Sequence, residues 1–148
     1  MAGMEDYVLS TDSGRLDVDL IERFLRDESY WARGIPRDVV ERSIRHSLCF
    51  GVYLRDRQVG FARVVTDRAT FAHVMDVFVL AEHRGHGIAS LMLAGMLEHP
   101  ELQGLRRWSL GTDDAHELYR RFGFRALAHP ERMMEITRSY PPVAEEGR

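Results

Sequence analysis

Residues 74–97 read Val-Met-Asp-Val-Phe-Val-Leu-Ala-Glu-His-Arg-Gly-His-Gly-Ile-Ala-Ser-Leu-Met-Leu-Ala-Gly-Met-Leu. An apolar strand runs to Leu80, a short polar turn follows, and Arg84-Gly85-His86-Gly87-Ile88-Ala89 opens a helix. The strand begins near residue 70, and only His73 and Asp76 interrupt its apolar run, which predicts a central strand buried on both faces. The helix, about Gly87 to Glu98, is apolar around most of its circumference and should be well buried. The junction between them is an anion site. Glycines let the backbone pass close to a ligand, and the first helical turn carries N–H groups without intrahelical partners. The helix dipole adds partial positive charge at the same point, which suits a phosphate or pyrophosphate.

Three loop patterns place glycines at such a junction. A nucleotide triphosphate loop needs a Gly-Lys pair, and the chain has none. A dinucleotide loop of the G-x-G-x-x-G/A type would put Ser90 at its third glycine and lies at the wrong place in the chain. The pattern R/Q-x-x-G-x-G/A is met by Arg84, Gly87 and Ala89. A second segment, 112–124, reads Thr-Asp-Asp-Ala-His-Glu-Leu-Tyr-Arg-Arg-Phe-Gly-Phe. Ala115, Leu118, Tyr119 and Phe122 share one helical face. Asp114 and Glu117 have capping-box spacing, and Gly123 suits the residue that ends a helix.

With both segments in this order, the chain resembles the GNAT superfamily of acetyl-CoA-dependent N-acetyltransferases, over roughly residues 48–137. The resemblance implies a mixed α/β fold: a central, mostly antiparallel twisted sheet of about six or seven strands, about four flanking helices, and a splay between the fourth and fifth strands.

Length and composition agree with one domain, taken as 1–140, followed by a loose tail at 141–148. At 148 residues the chain can bury a real core. A net charge of −3, with bases interleaved among acids, gives no reason to expect a nucleic-acid partner. No apolar run reaches the ~18 residues of a membrane span, and the amino terminus lacks the plan of a signal peptide. The single cysteine, Cys49, lies in an apolar strand and reads as a buried small residue in a cytoplasmic protein. The seven histidines are dispersed and show no metal-ligand spacing, so no metal is expected.

Elsewhere the pattern predicts a short strand at Tyr7–Ser10 and a helix capped by Asp17 or Asp19 with the stripe Leu20, Ile21, Phe24, Leu25. An aromatic loop follows at 29–35, then a helix opened by Pro36. Strands are expected at about 48–54, 58–65, 70–80 and 106–112. The last strands are expected at Phe124–Ala128 and Met133–Arg138.

The family resemblance assigns roles by position. Coenzyme A would lie in the splay, with its pyrophosphate on Arg84, Gly85, His86, Gly87, Ile88, Ala89 and Ser90. Its pantetheine arm would pair with the backbone of Val77, Phe78 and Val79 like an added strand. Thr112 stands where an asparagine often contacts the coenzyme. Tyr119 matches the family's acid, although a tyrosine on an apolar helix face also suits plain core. The reaction is amine attack on a thioester. An alkylammonium of pKa ~10 leaves only about one molecule in a thousand nucleophilic at pH 7, a deficit near 4 kcal/mol, so a base or a water relay to one is needed. His73 is the favoured base, with Asp76 its rival. Strict alternation puts those two on opposite faces, which a bulge would disturb. Tyr30, Trp31, Arg33 and Asp76 are candidates for acceptor contact. The acceptor would be a small-molecule or peptide amine, and a homodimer is conceivable from relatives. The competing reading is a non-catalytic acyl-CoA-binding module or sensor on the same fold.

Overall fold

A computed structural model describes residues 3–140. Its frame is one five-stranded sheet in sequential order: β1 (Tyr7–Ser10), β2 (Leu48–Leu54), β3 (Arg57–Thr66), β4 (Phe71–Val79) and β5 (Arg107–Leu110). The first four strands pair antiparallel, and β5 joins β4 in parallel. The helices are α1 (Val18–Arg23), α2 (Arg37–Arg45), α3 (Ile88–Glu98) and α4 (His116–Arg120). Asp17 caps α1 by accepting from the Leu20 N–H at 3.0 Å, while Asp19 pairs with Arg37.

The two faces of the sheet carry two cores. On one, α3 buries Ile88, Met92, Leu93 and Met96 against Phe50, Val52, Val64 and Val74. Gly95 allows that approach, since a Cβ there would run into the Leu9 side chain on β1. On the other face, α1, α2 and the intervening loop bury Ile21, Phe24, Leu25 and Val40 against Cys49, Phe61 and Phe78. Because both faces are covered, β2 through β4 read as nearly continuous apolar runs.

One irregularity governs the functional end. Phe61 opposes Phe78 but Arg63 opposes Met75, so β4 carries one more residue than β3 between those pairs. The extra residue sits beside Asp76, whose φ of +56° lies in the left-handed region. A bulge of this kind reverses the alternation beyond it. Before it, Ala72 and Val74 face the α3 core; after it, Phe78 faces the α1–α2 core. The pairing of β4 with β5 also ends there, at Val74 opposite Leu110. Residues 75–79 therefore have β3 on one side and no strand on the other, which is the splay expected between the fourth and fifth strands.

The expected strands at Phe124–Ala128 and Met133–Arg138 do not form, and the sheet has five strands rather than six or seven. Phe124–Leu127 stays across a gap from β5, and residues 133–140 are exposed with no ladder to pair into. Their strand-like composition is real, but a strand needs a neighbouring backbone. The expected tail at 141–148 lies outside the described residues. No helix is long and apolar enough to cross a membrane among the described residues.

Candidate active site

The splay opens a cavity of about 380 Å³ lined by Tyr30, Trp31, His73, Asp76, Thr112 and Tyr119 among others. The bulge explains why His73 and Asp76 line it together, contrary to strict alternation. Asp76 is buried and its carboxylate is fully engaged: Oδ1 accepts from the Trp31 indole at 2.8 Å and Oδ2 from the Arg63 guanidinium at 2.9 Å. A carboxylate fastened by a buried cation and an indole N–H is a positioning group rather than a free proton acceptor.

His73 has a different setting. Its Nδ1 lies 2.8 Å from Ser109 Oγ on β5. Partial burial, then the nearby Arg63 and Arg107 charges, lower its pKa from the ordinary 6.5. It is therefore neutral at pH 7, and with Nδ1–H donated to Ser109 the Nε2 lone pair is available to take a proton.

Tyr119 comes from α4, which is shorter than its periodicity predicts. Asp114 and Glu117 do not form the expected capping box; instead Thr112 Oγ1 accepts from the Ala115 N–H at 3.2 Å. The helix ends as expected at Gly123, whose φ is +97°. Tyr119 is buried and packs edge-on against Phe124. Its hydroxyl makes no hydrogen bond to the described residues. Burial, with small contributions from Tyr30 and Asp114, pushes its pKa up to about 12. The phenol is therefore always protonated at working pH and can donate.

Tyr30 closes the rim by accepting from the Asp113 N–H at 2.9 Å, which ties the first loop to the β5–α4 loop. Trp31 packs edge-on against Tyr30 at 5.0 Å between ring centroids. Arg33 is exposed and does not line this cavity.

A second cavity of about 340 Å³ lies at the start of α3, lined by Val79, Arg84, Gly85, Gly87, Ile88, Ala89 and Ser90, with His83, Leu118 and Arg121. Gly85 and Gly87 have φ of +81° and +78°, a conformation that favours glycine. No side chain caps α3, whose N-cap is Gly87, so its first-turn N–H groups remain available for an anion. The Arg84 Nε donates to the Val79 carbonyl at 3.2 Å, which folds this side chain over the end of β4. His86 does not line the cavity; its Nδ1 lies 3.1 Å from the His83 and Arg84 carbonyls. Phe78 turns its ring into the core, stacked on Phe24 at 3.9 Å, so only its backbone borders the splay.

Sequence reasoning missed Ser109, Arg63 and Arg121. Each reaches its site only through sheet pairing or helix docking, and none sits in a local pattern. Among the described residues no group of three or more metal-ligating side chains comes together.

A sheet splayed at a bulge, with a glycine-lined helix start at one end of the cleft and a buried tyrosine within it, defines an acyltransferase-type architecture. The GNAT acetyltransferase domain family matches residues 45–126. A protein of the fungus Gibberella zeae described as a putative acetyltransferase is 36% identical over 136 aligned residues, covering 77% of this chain and 76% of that one. The crystal structure of a putative GNAT-family acetyltransferase from Xanthomonas campestris pv. campestris superposes with a TM-score of 0.87 at 50% identity, covering 88% and 92% of the two chains. A predicted acetyltransferase from Clostridium acetobutylicum, solved with acetyl-CoA, shares the fold at a TM-score of 0.66 and 15% identity, covering 88% and 94%. The chain belongs to the GNAT acetyltransferase family, and acetyl transfer is the activity of its class.

Proposed function

We propose that this protein transfers an acetyl group from acetyl-CoA to a primary amine by direct attack on the thioester. The observation that carries the reading is the free edge of β4 beyond Asp76, which leads from the His73–Tyr119 cavity to the uncapped start of α3. The chain's groups fit the coenzyme along that path. The backbone of Val77, Phe78 and Val79 offers strand-type hydrogen bonds to an extended amide arm. The first-turn N–H groups of α3, with Arg84 and Arg121, suit a pyrophosphate. Acetyl-CoA supplies an acyl carbon already activated by a thiol leaving group.

His73 then takes the proton that the amine must lose, directly or through water. As the C–N bond forms and the C–S bond breaks, Tyr119 donates a hydrogen bond to the departing sulfur. A phenol near pKa 12 would give up its proton to a free thiolate of pKa about 8.5 only at roughly 5 kcal/mol, so its share is stabilisation of developing charge, not full transfer. Asp76 holds Trp31 at the cavity wall, where Tyr30 and Trp31 would meet the acceptor. The buried, unpaired Cys49 supports a cytoplasmic setting.

Calorimetric titration with acetyl-CoA, with ATP and NADH as controls, tests the first half. Assay of released thiol across an amine panel tests the second. Selective acetyl-CoA binding without turnover on any amine would favour a sensor, and absence of acetyl-CoA binding would sink the proposal.

A further inference from the structure

Two aromatic side chains stand open on the wall of the active cavity. Tyr30 and Trp31 meet at 83° with ring centroids 5.0 Å apart. Their polar ends are already engaged: the Trp31 indole N–H donates to Asp76 on β4, and the Tyr30 hydroxyl accepts from the Asp113 N–H beyond β5. The corner is therefore fixed before any ligand arrives, yet the two residues stay 47% and 40% exposed. Large aromatic side chains ordinarily bury their faces. Faces held open in a fixed right angle suit a cation, because a ring face carries the negative part of the quadrupole. The charges lining the cavity have the matching sign. Asp76 and Asp113 are its acids, and His73, neutral at pH 7, is its only basic residue. Arg63 offsets Asp76. The Asp113 side chain is exposed and has no ion pair or hydrogen bond among the described residues. Arg107, the other cation near His73, does not line the cavity and extends to the Met133 sulfur at 3.8 Å.

We propose that the acceptor is a primary amine carrying a second cationic group, an ammonium or a quaternary ammonium, which the Tyr30–Trp31 corner and Asp113 hold while the free amine reaches His73. The inference rests on the acetyl-transfer reading and names its acceptor class. The two ends of such a molecule play different parts. The reacting nitrogen must be neutral to attack, and it gives up its remaining proton to His73 as the C–N bond forms. The far group keeps its positive charge and lies against the ring faces and the free carboxylate. An acceptor with a carboxylate in that place would set an anion against Asp113 and two ring faces, with no Lys or Arg lining the cavity to receive it. A cavity of about 380 Å³, at the small end of ligand pockets, suits a short molecule of this kind.

The test compares kcat/KM for 1,5-diaminopentane, (5-aminopentyl)trimethylammonium, pentylamine and 5-aminopentanoate at saturating acetyl-CoA. The reacting amine has a pKa of ~10 in each, so its nucleophilicity is nearly constant and the tail decides. Both cationic tails should exceed pentylamine by roughly tenfold or more, and the carboxylate tail should fall below it. The quaternary tail donates no N–H hydrogen bond, so its preference reports the ring faces. Asp113→Asn and Tyr30→Leu should each lower the ratio of diamine to pentylamine by roughly threefold or more, and a ratio cancels any general loss of activity. A second arm needs no turnover: calorimetry with choline and with its uncharged isostere 3,3-dimethylbutan-1-ol, which should bind roughly tenfold more weakly. Equal rates for cationic and neutral tails would overturn the proposal, as would equal binding of choline and its isostere or ratios that neither variant moves. Choline discrimination without acetylation of any amine would sink the acetyl-transfer reading and support the cation site. Acetylation with no preference for a cationic tail would do the reverse.

Discussion

Asp76 concentrates three demands in one residue, and removing it should be unusually costly. Its left-handed backbone suits Asp or Asn better than Ala, a difference of roughly 1–2 kcal/mol. Its carboxylate neutralises Arg63, whose side chain is only 12% exposed. Breaking a buried pair by removing one member costs about 3–5 kcal/mol, because the survivor stays buried without its partner. Asp76→Ala should therefore lose about 4–7 kcal/mol, a large part of the ~5–15 kcal/mol that holds a domain folded. Asp76→Asn keeps the backbone tolerance and the acceptor for Trp31 at 2.8 Å, and should lose only about 2–4 kcal/mol. Adding Arg63→Met to Asp76→Asn removes the stranded cation and should recover part of that loss. Urea unfolding with linear extrapolation measures wild type, Asp76→Ala, Asp76→Asn, Arg63→Met and the double variant, and the double mutant cycle built from the Asn and Met variants isolates the pair. If Asp76→Ala and Asp76→Asn each cost under about 1 kcal/mol, the view of Asp76 as the fastening of the bulge is wrong.

Tyr119→Phe should lower kcat by roughly 10²-fold or more while leaving acetyl-CoA affinity unchanged; equal turnover would reduce Tyr119 to core packing. Gly87→Val places a β-branched residue at φ +78° and should weaken acetyl-CoA binding in calorimetry by at least tenfold; unchanged affinity would move the phosphate site elsewhere. His73 titrates below 6.5 in the folded protein, so activity should rise with pH through that lowered value, and His73→Ala should abolish this rising limb. The Cys49 thiol is pushed up to about 12 by burial, against about 8.5 unfolded, so the unfolded chain loses its proton first and stability falls as pH rises above 8.5. That contribution amounts to ~1.4 kcal/mol at pH 9.5. Cys49→Ala should flatten the stability–pH curve between 8.5 and 10, and an unchanged slope would show that other groups carry the alkaline loss.

The glycine loop was legible in sequence because all of its chemistry is local. Arg84, Gly87 and the start of α3 lie within a few residues, and their backbone requirements show directly as residue type. Tyr119 was legible through the face it shares with Ala115, Leu118 and Phe122, although the helix extent was not. Asp114 and Glu117 have the spacing of a capping box, yet α4 starts at His116 without a side-chain cap, and Thr112 holds the turn before it by accepting from the Ala115 N–H. The bulge at Asp76 entered the sequence reading only as what would disturb the alternation of His73 and Asp76, and no residue type located it. Neither glycine nor proline marks it, and its cause is tertiary: an acid anchored by Arg63 from β3 and Trp31 from the first loop. Residues 124–138 show the opposite failure. Their composition has an intrinsic strand preference, yet among the described residues no strand pairs with them and they remain irregular.

The bulge also links parts of the site that sequence treats separately. One added residue in β4 changes the parity of the strand, and that shift brings Asp76 to the cavity already lined by His73. Beside it the β4–β5 ladder ends, at Val74 opposite Leu110, so the backbone of 75–79 keeps an edge that β5 does not cover. The cavity and the free strand edge thus meet at one irregularity of β4. The left-handed conformation of Asp76 costs the fold some strain, and the Arg63 and Trp31 contacts hold it in place. Because Trp31 also forms a wall of the cavity, the acceptor would pack against the group that fastens the bulge.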